Sequence, residues 1–304
     1  MPHLLSALHS KALRVLRLVC GGIGCIGLSA LAETTVFTYR APETDKDVRY
    51  AYDFSVLQLA LEKTVAKYGP YQLLPSPAMT FPRAIKMVEN NQYPNFFIKL
   101  SYEQRLVSDL NFVFAKYPVD RGIVGYRVCF ANPQSKQRLM SLSSAADLRN
   151  FVMGQGSGWA DVEILRSNGF KVVEVNQYEN LFHMVAGNRF DLFCRGANEL
   201  QDEYEANKSI PNLVYDESMS IAYPLPRFFF GHASNRKAAE RIEEGLIAAH
   251  NDGSLIEMWR RHYASSIDFV KLSRRNIYWF ENPLLAGLQF NYRQYFFDPL
   301  REKK

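Results

Sequence analysis

Alternating and helical hydrophobic patterns divide the segment 35–100 into strands and helices. Residues 35–40 (TVFTYR) alternate between apolar and polar side chains and are rich in β-branched and aromatic types, which predicts a strand. Residues 54–68 carry apolar side chains at helical spacing, and Gly69-Pro70 ends that predicted helix. The same patterns predict three further elements: strands at 71–74 and 95–100, and a helix that begins near Thr80. This β-α-β-α-β order is typical of an α/β domain with a largely parallel sheet.

A second α/β series begins near residue 126. Its predicted strands are 126–130, 152–153, 170–175, 190–194 and 227–231. Its predicted helices are 159–167, 180–186, 237–250 and one from Ser254, where Ser254 and Glu257 have capping-box spacing. Two α/β units predict two domains with a cleft between them, which is a common place for a ligand.

The first 32 residues have the pattern of a secretory signal peptide. A basic start is followed by an uncharged apolar stretch and by Ala30-Leu31-Ala32, which predicts cleavage before Glu33. Four glycines between residues 21 and 27 argue against the alternative of a buried helix. Lipid attachment at Cys25 is a weaker alternative, because Gly22 stands where an aliphatic residue is needed. No run of about 18 apolar residues occurs, so no transmembrane helix is expected.

The charge balance excludes a strongly basic protein. Lys and Arg number 36 and Asp and Glu number 31, which gives a net charge of +5. Lys11, Arg14 and Arg17 lie in the leader, and the remainder is therefore close to neutral. With 22% charged and 47% hydrophobic residues, the rest is typical of a globular protein and not of a nucleic-acid-binding one.

Two cysteines, Cys129 and Cys194, remain once the leader is removed. In an oxidising compartment they either form a disulfide or lie as two small apolar side chains in strands. The sequence alone gives no distance between them, so both alternatives stay open. The histidines show no metal-ligand spacing, and neither a metal nor a cofactor is expected.

Several motifs have an order and spacing that point to one family. Residues 100–105 (LSYEQR) precede Phe112, residues 155–158 (QGSG) open a predicted helix, residues 187–191 read GNRFD, and residues 252–254 read DGS. Between about Thr35 and Tyr263 the chain resembles the bacterial extracytoplasmic solute-binding proteins of family 3. It is more similar to an uncharacterised branch that shares Trp159, Arg195-Gly196, Arg275 and Asn282-Pro283.

The resemblance implies a two-lobed α/β fold of the type II periplasmic-binding class. Domain 2 (119–230) would be inserted into domain 1, which would comprise 33–118 and a return segment with the C-terminal tail (231–304), after the signal peptide (1–32). The hinge crossovers would lie near 117–125 and 227–231. The ligand would bind between the lobes, and closure would bury it.

The resemblance also implies ligand-binding residues. Arg105 would bind a ligand carboxylate through its planar fork, unless it is a surface arginine, and Ser101 would add a hydroxyl. Ser157 and Gly158 would offer backbone N–H groups to an anion at a helix start, unless they only form a tight turn. Trp159 would stack on the ligand or pack in the core. Tyr39, near the carboxyl end of the first strand, is a candidate for stacking.

Arg195 and Glu199 mark a departure from the family. Amino-acid-binding members place an Asp where this chain has Gly196. Glu199 is the candidate replacement, with Arg195 adding positive charge, unless the two pair with each other at the surface. A standard α-amino acid is therefore in doubt, and a ligand with a further anionic group or a peptide-like ligand fits as well.

These observations predict a periplasmic solute-binding protein without enzymatic activity. It would capture a small, polar, carboxylate-bearing solute (amino-acid-like or another organic anion) for an ABC permease or a membrane sensor. We expect a monomer and no nucleic-acid partner.

One alternative is a periplasmic dehydratase of the arogenate/prephenate type with Glu199 as general acid. The other is a sensory or scaffold module that binds no ligand, which a cleft filled by its own side chains would favour. The aromatic-rich tail (267–304) is expected to pack in the core, with docking to a membrane partner as the alternative.

Overall fold

The first part of the fold alternates strands with helices. The computed structural model describes residues 33–44 and 47–300, so the predicted signal peptide lies outside the described residues. The segment 33–118 contains β1 (Thr35–Tyr39), α1 (Ala51–Glu62), α2 (Val65–Tyr68), β2 (Tyr71–Pro75), α3 (Phe81–Glu89), β3 (Phe96–Ser101), α4 (Gln104–Ser108) and β4 (Phe112–Phe114).

The remaining elements complete two α/β units. The segment 119–222 contains β5 (Tyr126–Ala131), α5 (Pro133–Leu139), β6 (Val152–Gly156), α6 (Ala160–Ser167), β7 (Lys171–Val175), α7 (Tyr178–Ala186), β8 (Leu192–Gly196), α8 (Leu200–Asn207), β9 (Val214–Tyr215) and β10 (Met219–Ala222). The segment 223–300 contains β11 (Arg227–His232), α9 (Arg236–Asn251), α10 (Ser254–Val270) and β12 (Asn276–Trp279). Within the described ranges, no helix is both long enough and apolar enough to cross a bilayer.

The first sheet has the strand order β2-β1-β3-β11-β4. The strand β1 is parallel to β2 and β3, whereas β11 is antiparallel to β3 and β4. The expectation of a largely parallel sheet is therefore right for one half of this sheet and wrong for the other. A crossover helix is needed to make neighbouring strands parallel, and β11 instead arrives through the short link 223–226 from the second sheet.

The second sheet has the order β12-β10-β5-β8-β6-β7, and β9 pairs beside β5. The strands β5 and β8 are antiparallel and place Cys129 directly opposite Cys194. The two cysteines form a disulfide. The sequence leaves open a disulfide or two separate apolar side chains, and the structure has the disulfide.

Two crossovers connect the sheets, one between β4 and β5 and one between β10 and β11. They lie against each other, since the Tyr223 N–H donates to the Gly125 carbonyl at 3.1 Å. A Cβ at Gly125 would lie 2.3 Å from the Tyr223 carbonyl oxygen, so only glycine allows this close approach. The short contact between the crossovers fixes where the two sheets meet.

The C-terminal tail crosses from one sheet to the other. The strand β12 pairs in parallel with β10 and so extends the second sheet. The chain then packs Phe290 and Phe296 on the apolar face of the first sheet. The Phe297 N–H donates to the Arg121 carbonyl at 2.7 Å in the first crossover. Most tail aromatics are thus partly or fully buried, whereas Trp279 on β12 is 59% exposed.

The start of α10 differs from the predicted capping box. The N-cap is Gly253, with φ at +82°, and Ser254 is already the first helical residue. The Asp252 carboxylate accepts hydrogen bonds from the Ser254 N–H at 2.9 Å and from the Ser254 hydroxyl at 2.6 Å. The capping-box prediction is wrong because the left-handed glycine moves the helix start by one residue.

Candidate ligand-binding site

A cleft between the two sheets is lined by polar and charged side chains from both. Its cavity measures about 70 Å3, which is room for about five water molecules. The lining residues are Arg40, Arg49, Tyr50, Asp53, Phe81, Ile85, Lys99, Leu100, Ser101, Glu103, Trp159, Ala160, Asp161, Arg195, Glu199 and Arg227.

The cleft lies where strands of the first sheet end. Ser101 is the last residue of β3, and Arg227, the first residue of β11, pairs with it across the ladder. Arg40 follows β1 directly. On the second sheet, Arg195 lies next to the end of β8. Carboxyl ends of strands face the ligand crevice in open α/β sheets, and this cleft follows that rule.

Glu199 is the most highly connected acid in the cleft. Its Oε1 accepts from Arg227 Nη1 at 2.8 Å, and its Oε2 forms an ion pair with Arg195 Nη2 at 3.0 Å. Arg127 Nη1 lies 3.7 Å from the same Oε2. Burial opposes ionisation, but these guanidinium groups hold the pKa of Glu199 well below its usual range. The ion pair with Arg227 connects the second sheet to the first.

Lys99, on strand β3 of the first sheet, lies between two acidic side chains. Its Nζ lies 2.5 Å from Asp53 Oδ1 and 3.2 Å from Asp120 Oδ1. Burial raises the pKa of Asp53 to about 6, although the charge of Lys99 opposes this. Asp53 is therefore the cleft carboxylate that takes up a proton near neutral pH.

Asp161, in the first turn of α6, is a buried acid of the second sheet. It accepts from Arg127 Nε at 2.9 Å and also contacts Arg127 Nη2 and the Tyr223 hydroxyl. Burial raises the pKa of Asp161, but Arg127 outweighs burial, and the net shift is downward. An ionised carboxylate thus lines the cleft at the start of a helix.

Arg40 offers a donor that no side chain uses. The residue is 6% exposed, and its Nη2 donates to Glu43 Oε1 at 2.8 Å and to the Met79 carbonyl at 3.1 Å. Within the part of the chain that the structure describes, its Nε has no hydrogen-bond partner. The guanidinium carbon lies 4.7 Å from the ring centroid of Tyr50 and 5.5 Å from that of Phe81. A buried N–H between two rings is a costly arrangement unless an acceptor meets it.

The structure brings four of the predicted site residues together at the cleft: Ser101, Trp159, Arg195 and Glu199. Arg195 and Glu199 pair with each other as the alternative interpretation expected, but Arg195 is buried instead of lying at the surface. Trp159 lies over Gly156 and 4.8 Å from the Arg195 guanidinium carbon. It therefore packs in the wall while still facing the cavity.

The other four predicted residues lie outside the lining. The Arg105 side chain is 48% exposed, and its Nε donates to Glu103 Oε2 at 2.7 Å. The helix α4 turns Arg105 outward, and Glu103 takes the place at the cleft. Tyr39 packs against Phe54 with ring centroids 4.9 Å apart, because neighbouring strand residues point to opposite faces.

Ser157 and Gly158 form the turn between β6 and α6. The Ser157 N–H donates to the Val175 carbonyl at 3.0 Å, so this donor is already used. Gly158 has φ at +78°, a conformation that favours glycine, and is exposed. These contacts match the tight-turn interpretation of this segment.

Sequence reasoning missed several cleft residues, namely Arg40, Asp53, Lys99, Glu103, Asp161 and Arg227. Arg40 had a usable signal, because it follows Tyr39 at the end of the first predicted strand. The remaining residues have no local pattern that separates them from ordinary surface charges.

Comparison with known proteins identifies the fold. No family model matches the chain, and no curated protein matches it. Solved structures do match it. An ancestral arginine-binding protein bound to arginine is 12% identical, with a TM-score of 0.57 over 76% of this chain and 99% of that one. The periplasmic binding protein of an arginine third transport system from Legionella pneumophila is 13% identical, with a TM-score of 0.57 over 76% and 100%.

A third match is the GluR0 ligand-binding core from Nostoc punctiforme in complex with L-glutamate. It is 14% identical, with a TM-score of 0.52 over 75% of this chain and 99% of that one. The chain therefore has the two-lobed α/β fold of the type II periplasmic-binding proteins, as the sequence motifs predict. The matched structures are covered almost completely by three quarters of this chain, which leaves a part of the chain without a counterpart in them.

Proposed function

We propose that the protein is a periplasmic solute-binding protein that captures a small zwitterion, carrying one carboxylate and one ammonium group. The supporting observation is the cleft between the sheets, whose walls carry cations and anions from both lobes around a cavity of about 70 Å3. Unlike charges held in place on opposite walls are complementary to a molecule that carries both.

The carboxylate of the solute would be bound by Arg40 and Ser101. Arg40 has the buried, unpartnered Nε–H, and its guanidinium lies between Tyr50 and Phe81. A carboxylate accepting that hydrogen bond would satisfy the free donor. Arg105 is less suitable, because it is half-exposed and already pairs with Glu103.

The ammonium group would be bound by the acids of the cleft wall. Glu103 and Asp161 both line the cavity, and Asp161 has a pKa below its usual value, so it is ionised at neutral pH. Glu199 is less suitable for this role than the sequence suggests, because its Oε1 already accepts from Arg227 and its Oε2 lies 3.0 Å from Arg195 Nη2.

The same fold supports delivery to an ABC permease or to a membrane sensor. Two of the matched proteins are an arginine-binding protein and a component of an arginine transport system, and a third is the GluR0 ligand-binding core in complex with L-glutamate. Two-lobed closure around a solute produces a distinct bound shape that a partner can recognise. We propose that this chain acts in that way as a monomer. The inserted domain would begin near residue 119 and end at the crossover 223–226, earlier than the predicted residue 230, because β11 pairs with β3 and β4 in the first sheet.

Glu199 does not fit the role that the dehydratase alternative gives it. That reaction needs a proton-donating acid in the cleft, and Glu199 is the candidate that the sequence offers. Its pKa lies well below the usual range because guanidinium groups surround it, so it carries no proton at neutral pH.

One observation favours a scaffold or sensory module without a ligand. The cleft is narrow, and Arg195, Arg227 and Lys99 all have acidic partners from the protein itself. If the lobes did not open, such a cleft would have little left for a solute to bind.

A thermal-shift screen of the chain from Glu33 onward separates these two functions. Amino acids, small peptides, dicarboxylates and polyamines are the probes. A ligand at a hundredfold excess over its dissociation constant stabilises the folded state by about 2.7 kcal/mol, which shifts the midpoint visibly. We expect a zwitterion to bind, Arg40→Ala to abolish the shift, and Arg105→Ala to retain it. A flat screen on a cooperatively folded protein would favour the scaffold function.

A further inference from the structure

Glu199 occupies a site that has the form of an anion-binding site. The site consists of Arg127, Arg195 and Arg227, together with the Gly196 N–H, which donates to Glu199 Oε2 at 2.9 Å. Arg127 and Arg195 come from β5 and β8 of the second sheet, and Arg227 comes from β11 of the first. Three guanidinium groups and a backbone donor around one carboxylate exceed what a single acid needs for pairing.

Each of the three arginines also has a second acidic partner. Arg127 pairs with Asp161, and Arg195 donates to Glu203 Oε1 at 2.7 Å. Arg227 Nη1 lies 3.6 Å from Asp120 Oδ2, which it shares with Lys99. If the Glu199 carboxylate were absent, Arg227 Nη1, Arg195 Nη2 and the Gly196 N–H would each lose a contact that another carboxylate could replace.

The local sequence holds Glu199 in this site. Glu199 follows Gly196 by three residues, at the N-cap of α8, and its side chain folds back on the strand end. A Cβ at Gly196 would lie 3.0 Å from Glu199 Oε2 and 2.7 Å from Asn198 Oδ1, so the glycine leaves room for the carboxylate. Among residues 33–44 and 47–300, no hydrogen-bond partner meets the buried Nη1 of Arg127, which leaves spare donor capacity in the site.

We infer that Glu199 is a specificity-determining residue: an internal carboxylate that fills the three-arginine site and excludes from it the second carboxylate of a dianionic solute. A second carboxylate entering the site would lie beside a like charge, or would displace Glu199 into the cleft without a partner, and both outcomes weaken binding. The inference rests on the proposed solute-binding function and narrows its substrate class to solutes with one carboxylate.

The test removes the internal carboxylate and supplies an external one. The purified Glu199→Ala protein is titrated with acetate and glutarate, and its unfolding midpoint is followed, with sodium chloride at equal ionic strength as the reference. The matched control is Glu174→Ala, which removes a carboxylate paired with an arginine, Arg166, outside the cleft lining. We expect carboxylates to raise the midpoint of Glu199→Ala in a saturable way and to leave wild type and Glu174→Ala unchanged.

The isosteric Glu199→Gln variant tests the same point if the alanine variant does not fold. We expect it to bind glutarate at least about tenfold more tightly than wild type, because a like charge has been removed. Equal glutarate affinity for wild type and Glu199→Gln, or no carboxylate effect on folded Glu199→Ala, would overturn the inference. The proposed function fails separately, if wild type binds no zwitterion while the variants still gain carboxylate binding.

Discussion

Arg195 and Glu203 form a buried ion pair with three hydrogen bonds. The Arg195 Nε donates to the two carboxylate oxygens at 2.9 and 2.7 Å, and Nη2 donates to Oε1 at 2.7 Å. The same guanidinium contacts Glu199 and lies near the Trp159 ring. Glu203 therefore holds Arg195, a residue of the cleft wall, in position.

Glu203→Ala is expected to destabilise the protein by about 3–5 kcal/mol, because it leaves a buried guanidinium short of a partner. Urea unfolding at neutral pH measures the loss. Glu205→Ala in the same helix is the control, since Glu205 is exposed and pairs only with Lys208, and it should cost less than about 1 kcal/mol. Similar small losses in both variants would contradict the prediction.

Asp53→Asn is expected to change how stability depends on pH. The folded protein holds a proton on Asp53 up to a pH of about 6, whereas the unfolded chain releases it near the ordinary aspartate pKa of 3.8. Between these values the folded state binds more protons, so this group makes the free energy of unfolding fall as the pH rises.

The difference in unfolding free energy between Asp53→Asn and wild type isolates this effect from other acids. It should shift in favour of the variant by up to about 3 kcal/mol between pH 4 and 7. Lys99 keeps Asp120 as a partner in the variant, which guards against an unpaired buried cation. A difference that stays constant over this pH range would show that Asp53 has an ordinary pKa.

Replacing Cys129 and Cys194 by alanine is expected to lower stability by about 4 kcal/mol, which is the chain-entropy value for a disulfide that closes a loop of 65 residues. The measurement is the unfolding midpoint with and without dithiothreitol. Wild type should lose stability on reduction, and the double variant should be insensitive to the reductant. A wild-type midpoint that reductant leaves unchanged, with the thiols shown to be free, would refute the structural role of this bond.

Gly245→Ala tests the close packing of α1 and α9. A Cβ at Gly245 would lie 1.9 Å from the Ala60 carbonyl oxygen, so the two helices would have to move apart. We expect a loss of about 1–3 kcal/mol, measured by chemical denaturation. The control Glu240→Ala lies at an exposed position of the same helix and should stay within about 0.5 kcal/mol of wild type.

The sequence predicts the elements better than it predicts the site. The first predicted strand and the helix near Thr80 are confirmed because short-range patterns specify them. Whether Tyr39 or Arg40 faces the cleft depends on which face of β1 meets it. Only the packing against the neighbouring sheet determines that face. Glu199 could not be interpreted from its surroundings in sequence, since Arg127 and Arg227 lie far from it along the chain.

The tail has a consequence for the order in which the protein folds. The second sheet is complete only when Asn276–Trp279 pairs with β10. The intervening chain forms α9, which packs closely against α1, and α10, whose Ser266 hydroxyl donates to the Ala197 carbonyl at 2.8 Å. As the chain emerges from a ribosome or a translocation channel, the outer edge of β10 stays open until these last residues arrive. Pairing between distant segments is slow, and an open strand edge invites aggregation. A growing chain of this protein therefore exposes the edge of β10 for a time, and a chaperone is well placed to bind this edge until β12 pairs with it.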